Sequence, residues 1–271
     1  SIVAYNNLDV FLESVDAVYI ATPHNSHYDY AKKAIVTGKH VLVETPMVLL
    51  GFQAKELFKM AEERGVILME ANKTAHCPAF NHLIVMIKSG VIGEVVDIES
   101  SVSQLLDKSG REFDPNQSGG ALYEQGSSVL LPMVKLLGTE CRNINIYSRM
   151  ENGVDIYTKG VLRYDHAICS FKAGLGVKTE GNLVISGTKG YAYVPAPWWK
   201  TDYFELRYED QNKNRKFFYK WDGAGLRYEI QEFISCIVNK RFSTARLRRR
   251  ESIWIADVME QFQTRKNVME I

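Results

Sequence analysis

Two apolar runs of strand length, each broken off by polar residues and a proline, constrain this chain more than any other feature. Residues 17–22 (Ala-Val-Tyr-Ile-Ala-Thr) run into Pro23, His24, Asn25, Ser26 and His27, and residues 40–44 (His-Val-Leu-Val-Glu) run into Thr45 and Pro46. Between them, residues 28–38 carry apolar side chains at helical spacing, with Gly38 placed to stop the helix. The pattern recurs as a helix over residues 53–64, stopped by Gly65, and a strand over residues 66–71. Three buried strands alternating with two helices predict a doubly wound parallel sheet with right-handed crossovers. Such sheets bind ligands off the carboxyl ends of their strands. Pro23, His24, His27, Glu44, Thr45 and Asn72 fall at or just beyond those ends, so a site is expected there.

Composition narrows the class. The 271 residues are 46% hydrophobic and 24% charged, ordinary for a globular protein of one large domain or two smaller ones. A formal net charge of +1 gives no global electrostatic case for nucleic acid or an anionic membrane surface. No apolar run approaches the roughly 20 residues that span a bilayer. Cys77, Cys141, Cys169 and Cys236 are far apart and form no CxxC or Cys/His ligand pair. They read as reduced thiols of a cytoplasmic protein, and no metal site is expected. The chain opens on Ser1 without a signal peptide, and no glycine-rich GxGxxG turn precedes residue 16. The reading therefore expects that turn, which lets a backbone approach a pyrophosphate, to lie on a segment outside the chain.

Further along, residues 1–5 read as a short strand and residues 8–14 as a short helix. Residues 78–89 form a predicted helix ended by Gly90, and residues 94–103 alternate as a strand. Residues 107–118 are polar, with Gly110, Pro115 and Asn116, and read as a loop over a cleft. Residues 119–137 are predicted helical, kinked at Pro132 and ended by Gly138. From residue 143 to about 219 the pattern turns to strands at 144–147, 154–163, 166–171, 181–186, 191–194, 204–208 and 216–221, read as an antiparallel meander. Helices over 226–239 and 250–263 close the chain. The division expected is a partial dinucleotide-binding domain over residues 1–75 and an α/β substrate and oligomerisation domain over residues 76–271, its last helices packing back on the first.

Several motifs stand in one order and spacing: Asp16 to Pro23 with His27; Gly38 to Pro46; Met69-Glu70-Ala71; Gly90 to Val95; Gly119-Gly120-Ala121-Leu122 with Gly126; and Gly187 to Gly190. Together they resemble the glucose–fructose oxidoreductase / inositol dehydrogenase / MocA (Gfo/Idh/MocA) family over residues 1–264. Met69-Glu70-Ala71, Thr74 and Pro78 are most similar to its dihydrodiol and D-xylose dehydrogenase branch. The resemblance implies an α/β fold: a truncated Rossmann parallel sheet, then an α+β domain with an open-faced antiparallel sheet that mediates homodimers or tetramers. It implies NAD or NADP as cofactor, with binding weak or absent without the glycine-rich turn. The reaction implied is hydride transfer between the nicotinamide and a hydroxyl carbon of a sugar, cyclitol or diol.

The departures from the family pattern matter as much. Thr45 stands where Glu-Lys-Pro places a lysine at the reacting oxygen, with Lys73 a conceivable substitute. Glu124 and Ser128 stand where the helix usually carries a substrate-binding aspartate and a histidine or tyrosine proton donor. One helical turn separates them, so they share a face. The resemblance thus makes Thr45, Glu124 and Ser128 the catalytic candidates, and Thr22, Pro23, His27, Glu44, Pro46 and Asn72 the cofactor candidates. His27 reads either as a cofactor contact or as a first-turn histidine holding its loop together. Glu44 reads either as a ribose ligand or as a cap for the next helix. An unassisted serine is a poor acid–base group near neutral pH. A second reading therefore stands: a catalytically impaired relative kept for ligand binding or oligomerisation. Trp198 and Trp199 read as domain packing or a sugar-stacking pair, His166 as a turn residue, and residues 246–250 as an exposed basic stretch.

Overall fold

The computed structural model describes residues 3–271. Strands β1 (Ala17–Ile20), β2 (His40–Glu44) and β3 (Leu68–Ala71) pair in parallel in that order. Helices α2 (His27–Val36) and α3 (Gly51–Arg64) are the two crossovers. Successive strand residues point to opposite faces. On one face Val41 and Val43 pack with Ala31, Ile35 and Leu57 of α2 and α3. On the other, Leu42 and Met69 meet Phe233 and Cys236 of helix α7 (Leu226–Val238). Both faces are covered over β2 and β3, which is why those strands read as unbroken apolar runs, while Tyr19 on the edge strand β1 stays exposed. Before them, helix α1 (Leu8–Glu13) starts at Asn7, whose side-chain oxygen accepts from the Asp9 and Val10 N–H groups.

The strand expected over residues 1–5 is corrected as far as it can be seen, residues 1 and 2 lying outside the described part. Residues 3–5 form no strand. Tyr5 packs instead on Phe11 of α1, ring centroids 5.7 Å apart.

The second sheet has nine strands in the order β11-β10-β9-β8-β4-β7-β6-β5-β12. They are β4 (Val95–Ser103), β5 (Asn143–Glu151), β6 (Val154–Arg163), β7 (Ile168–Gly174), β8 (Leu183–Gly187), β9 (Tyr191–Val194), β10 (Tyr203–Arg207), β11 (Arg215–Phe218) and β12 (Val268–Glu270). The antiparallel meander needs correcting in two places. β4 inserts between β8 and β7 and runs parallel to β7, and β12 pairs in parallel with β5. The cause is helix α6 (Ala121–Leu137), which joins β4 to β5: a strand–helix–strand crossover returns the chain in the same direction, whereas a hairpin reverses it. Two short elements also escaped the pattern, β12 and helix α4 (Lys73–His76).

One face of this sheet is covered by helix α5 (Pro78–Lys88) and α6. Phe80, Leu83 and Ile87 of α5 and Leu122, Val129 and Met133 of α6 pack with Ile98, Phe171 and Phe204 from the strands. Lys159, Arg163 and Ile168 lie exposed on β6 and β7. Helix α8 (Arg249–Gln263) joins the two halves, sending Ile255, Met259 and Phe262 into this core and Ala256 into the core beneath β1–β3. It is anchored to α6 by a buried ion pair, Lys135 Nζ to Glu251 Oε2 at 2.9 Å, each side chain 5% exposed. Within residues 246–250, Arg248 and Arg250 are exposed, Leu247 is buried, and Arg246 and Arg249 are half-buried and held by contacts. Arg246 Nη1 donates to the His76 carbonyl at 3.1 Å, and Arg249 pairs with Glu62 at 2.9 Å.

Candidate functional site

A cavity of about 310 Å³ opens where the carboxyl ends of β2 and β3 face the first turns of α6. Glu44, Thr45, Asn72 and Lys73 line it from the strand ends, and Glu124, Gln125 and Ser128 from α6. Gln104, Leu106 and Glu112 reach it from the polar segment after β4, and Trp199, Lys200 and Trp221 from the far side. The three catalytic candidates, with Glu44 and Asn72, thus share one space. Thr22, Pro23, His27 and Pro46 do not line it.

Two glycines let α6 start where it does. Gly120 holds φ +131°, and a Cβ there would fall 2.2 Å from Asp155 Oδ1. A Cβ on Gly119 would fall 2.5 Å from the Glu112 carbonyl oxygen. Asp155 in turn accepts from the Leu122 N–H at 2.9 Å, capping the helix that carries Glu124 and Ser128.

Glu124 is the most elaborately held group in the cavity. Arg111 grips both its oxygens, at 3.0 and 3.2 Å, in a bidentate fork. Burial nevertheless outweighs the guanidinium and pushes its pKa up to about 6. His24 Nε2 lies 3.6 Å from Glu124 Oε1, while its Nδ1 is 3.1 Å from the Ser118 carbonyl oxygen. Burial lowers the His24 pKa to about 4, so the ring is neutral at pH 7. A neutral ring that donates through Nδ1 turns a bare Nε2 lone pair toward Glu124. The polar segment after β4 is what supplies Arg111, and only the folded chain brings it to α6.

His27 is fully buried, its Nδ1 2.9 Å from the Pro46 carbonyl oxygen and its Nε2 2.8 Å from that of Thr22. It clamps the end of β1 to the turn after β2, the loop-holding geometry of the two weighed. Thr22 accepts from Ser26 Oγ at 2.8 Å, so its hydroxyl also serves the turn. Asn72 spends its amide on structure: Oδ1 caps α4 by accepting from the Ala75 N–H, and Nδ2 donates to the Ser127 carbonyl. That Asn N-cap was the signal for α4. Glu44 accepts from the Tyr19 hydroxyl. Of the tryptophan pair, Trp198 is wholly buried, donating to the Ser101 carbonyl at 2.9 Å, and only Trp199 reaches the cavity.

Behind the strand ends lies Glu229, in the first turn of α7. It is fully buried, and neither carboxyl oxygen has a hydrogen-bond partner. Burial, reinforced by Glu44 and opposed by Lys73, pushes its pKa up to about 8. Among the described residues no cluster of three or more His, Cys, Asp or Glu is arranged to hold a metal ion, and no helix is long and apolar enough to cross a membrane.

Two family models match the chain: the Gfo/Idh/MocA oxidoreductase family model, with an NAD-binding Rossmann fold, over residues 1–72, and the Gfo/Idh/MocA C-terminal domain over residues 80–193. Among curated proteins, the chain is 28% identical over 256 residues to a trans-1,2-dihydrobenzene-1,2-diol dehydrogenase of Oryctolagus cuniculus, covering 91% of this chain and 78% of that one. It is 32% identical over 182 residues to a dTDP-3,4-didehydro-2,6-dideoxy-alpha-D-glucose 3-reductase of Actinomadura kijaniata, covering 67% and 53%. Among solved structures, a 3-ketoreductase from Actinomadura kijaniata in complex with NADP and TDP-benzene superposes with a TM-score of 0.86 at 22% identity, covering 97% of this chain and 82% of that one. That likeness concerns the fold.

Proposed function

The chain belongs to the Gfo/Idh/MocA oxidoreductase family, and from that membership we propose that it is an NAD(P)-dependent oxidoreductase acting on a hydroxyl carbon of a sugar, cyclitol or diol. The observation that carries the proposal is the single cavity shared by the strand-end residues Glu44, Thr45 and Asn72 and the helix residues Glu124 and Ser128. The residues suit a nicotinamide nucleotide: the cavity lies at the carboxyl edge of the parallel sheet, and Glu44 presents acceptor oxygens for ribose hydroxyls there. Such a cofactor, when bound, accepts or returns the hydride.

The remaining work falls to this chain's own side chains. Glu124, ionised above pH 6, takes the substrate hydroxyl proton as the carbonyl forms, and Arg111 holds the carboxylate in place for it. Once protonated, Glu124 finds the Nε2 lone pair of neutral His24 as an acceptor behind it. Thr45 and Ser128 offer hydroxyl donors to the substrate. Trp199 and Trp221 give apolar faces for a sugar ring or diol carbon skeleton, amid the polar groups of Gln104, Glu112 and Lys200.

The test is titration with NADH and NADPH, followed by energy transfer from Trp199 and Trp221, with turnover assayed on a panel of diols and sugars. In protein that carries the glycine-rich turn, binding with turnover on at least one polyol is expected, whereas residues 1–271 by themselves should bind weakly; no binding of either cofactor by protein carrying that turn would sink the reading. A second reading is favoured by one observation: neither Thr45 nor Ser128 brings an ionisable group to the cavity. Tight cofactor binding with no turnover on any polyol would select that impaired relative. We further propose self-association through the uncovered face of the nine-stranded sheet, and a cytoplasmic setting, in keeping with four unpaired cysteines.

A further inference from the structure

The polar segment between β4 and α6 is held unevenly. At one end the Gln104 N–H donates to the Gly174 carbonyl at 2.9 Å. At the other, Phe113 packs on Ala121, Ala173 and Leu175, and the Gly120 N–H donates to the Glu112 carbonyl at 2.8 Å. Between those anchors, residues 105–109 are exposed. Among the described residues, the side chains of residues 105–111 make two ties to the rest of the fold. Lys108 pairs with Glu151 on the surface, and Arg111 forks onto Glu124. Exposed ion pairs hold little, so the fork is the main latch of this flap, whose Leu106 walls the cavity.

Glu124 lies between two unlike partners. On the flap side is the Arg111 cation. On the other, His24 Nδ1 is 3.1 Å from the Ser118 carbonyl oxygen, which can only accept, so Nδ1 carries the hydrogen and Nε2 of the neutral ring is a bare lone pair. That lone pair is 3.6 Å from Glu124 Oε1, too far for a hydrogen bond, as befits two acceptors facing each other. A carboxylate suits the arginine and has nothing to give the histidine. A carboxylic acid reverses this: the fork loses its charge assistance, and the new buried O–H needs an acceptor. Closing the gap to about 2.9 Å takes a shift of about 0.7 Å. Burial, and to a smaller degree Glu112, favour the proton on Glu124 against Arg111. Glu44, Lys73 and Lys200 line the same cavity, and Asp155, which caps α6, is also raised to about 6 by burial.

We propose that Glu124 is a two-position switch: ionised, it latches the 105–111 flap shut through Arg111; protonated, it turns to His24 Nε2 and lets the flap go. The inference rests on the oxidoreductase reading for what drives the switch. In the oxidation direction the carbinol C–H bond breaks with its electron pair passing to the nicotinamide as hydride. The O–H bond breaks with its proton passing to Glu124, and the C=O bond forms. The alcohol complex is therefore closed and the carbonyl complex open, so the proton taken in the reaction opens the way out for the product. His24 is a positioning residue that acts through Glu124.

The switch is read in the full chain, without cofactor, from backbone ¹⁵N order parameters of residues 105–111. These are expected to fall from about 0.85 to about 0.6 or below as the pH is taken from 7.5 to 5. Glu124→Gln, which cannot ionise, is expected to leave the flap mobile at both pH values. His24→Asn keeps a donor for the Ser118 carbonyl but removes the Nε2 lone pair, so the transition is expected to move at least about half a unit to lower pH. Order parameters equal at both pH values in the wild type, a rigid flap in Glu124→Gln, or a transition unmoved by His24→Asn would each overturn the proposal. In protein that carries the glycine-rich turn, His24→Asn is expected to lower kcat about three- to tenfold with kcat/KM within about threefold, the mark of slowed release. An equal fall in both would break the link between the flap and product release. Failure of that protein to bind either cofactor would instead remove the oxidoreductase reading, with the flap measurement unaffected.

Discussion

At the scale of single residues, the cavity's chemistry is a competition between burial and pairing. Glu124 is gripped by Arg111, yet its pKa sits near 6 because desolvation exceeds the attraction of a guanidinium that is itself 40% exposed. A base must be ionised to act, so kcat/KM is expected to fall as the pH drops through about 6. Glu124→Gln should lose about 10²–10⁴-fold in rate. Arg111→Met removes the opposing charge, so the acid limb of the pH–rate profile should move to higher pH; an unmoved limb would show that another group sets it. Glu124 and Ser128 were singled out by the family resemblance, their one-turn spacing adding only that they share a helix face, while Glu44, Thr45 and Asn72 were legible from their places at strand ends. His24 was expected at the site from its place after β1, but its contacts with Ser118, 94 positions away, and with Glu124 came only with folding, and Arg111 became a site residue only through its fork on Glu124, 13 positions away.

At the scale of elements, local pattern located the helices and most strands, because each buries a face whose period belongs to the element alone. It missed α4, four residues long, and β12, three, and misplaced β4, whose partners are chosen by the crossover through α6. Pairing of β6 with β7 places Gly160 opposite Phe171, and a Cβ at Gly160 would lie 2.1 Å from that fully buried ring. Gly160→Ala should therefore destabilise the protein by about 1–3 kcal/mol, read from the urea midpoint. The α6–α8 joint is more severe. Lys135→Met strands Glu251 without its partner in the core and should cost about 3–5 kcal/mol. Adding Glu251→Leu should recover much of that loss, and if it does not, the pair contributes more than its own charge balance.

At the scale of the whole molecule, buried titratable groups set a pH optimum for stability. His24 and His76 have folded-state pKa values lowered to about 4 from 6.5, so their neutral burial is lost as stability when the pH falls through that interval. Glu229 acts in the opposite sense. Its pKa is raised from 4.5 to about 8, the folded state holds the extra proton, and stability declines as the pH rises toward and through 8. Denaturant midpoints should peak between these limits, and Glu229→Gln should flatten the alkaline side; a decline unchanged by that substitution would assign it to another group. The open sheet face is tested by Ile168→Glu on β7, 57% exposed, which should shift any assembly toward monomer in analytical ultracentrifugation.

What the amino-acid order determined alone was the grammar: three apolar strands, two crossover helices, a later run of strands, and polar residues massed where the first strands end. Those signals are local, carried by spacing and by where an apolar run stops. What only the tertiary structure decided was company. It chose which loop arginine grips Glu124, turned His27 to the loop and His24 toward the carboxylate, and buried Glu229 without a hydrogen-bond partner. Such meetings join residues distant in the chain, and their energies depend on dielectric and distance, which exist only once the chain has packed.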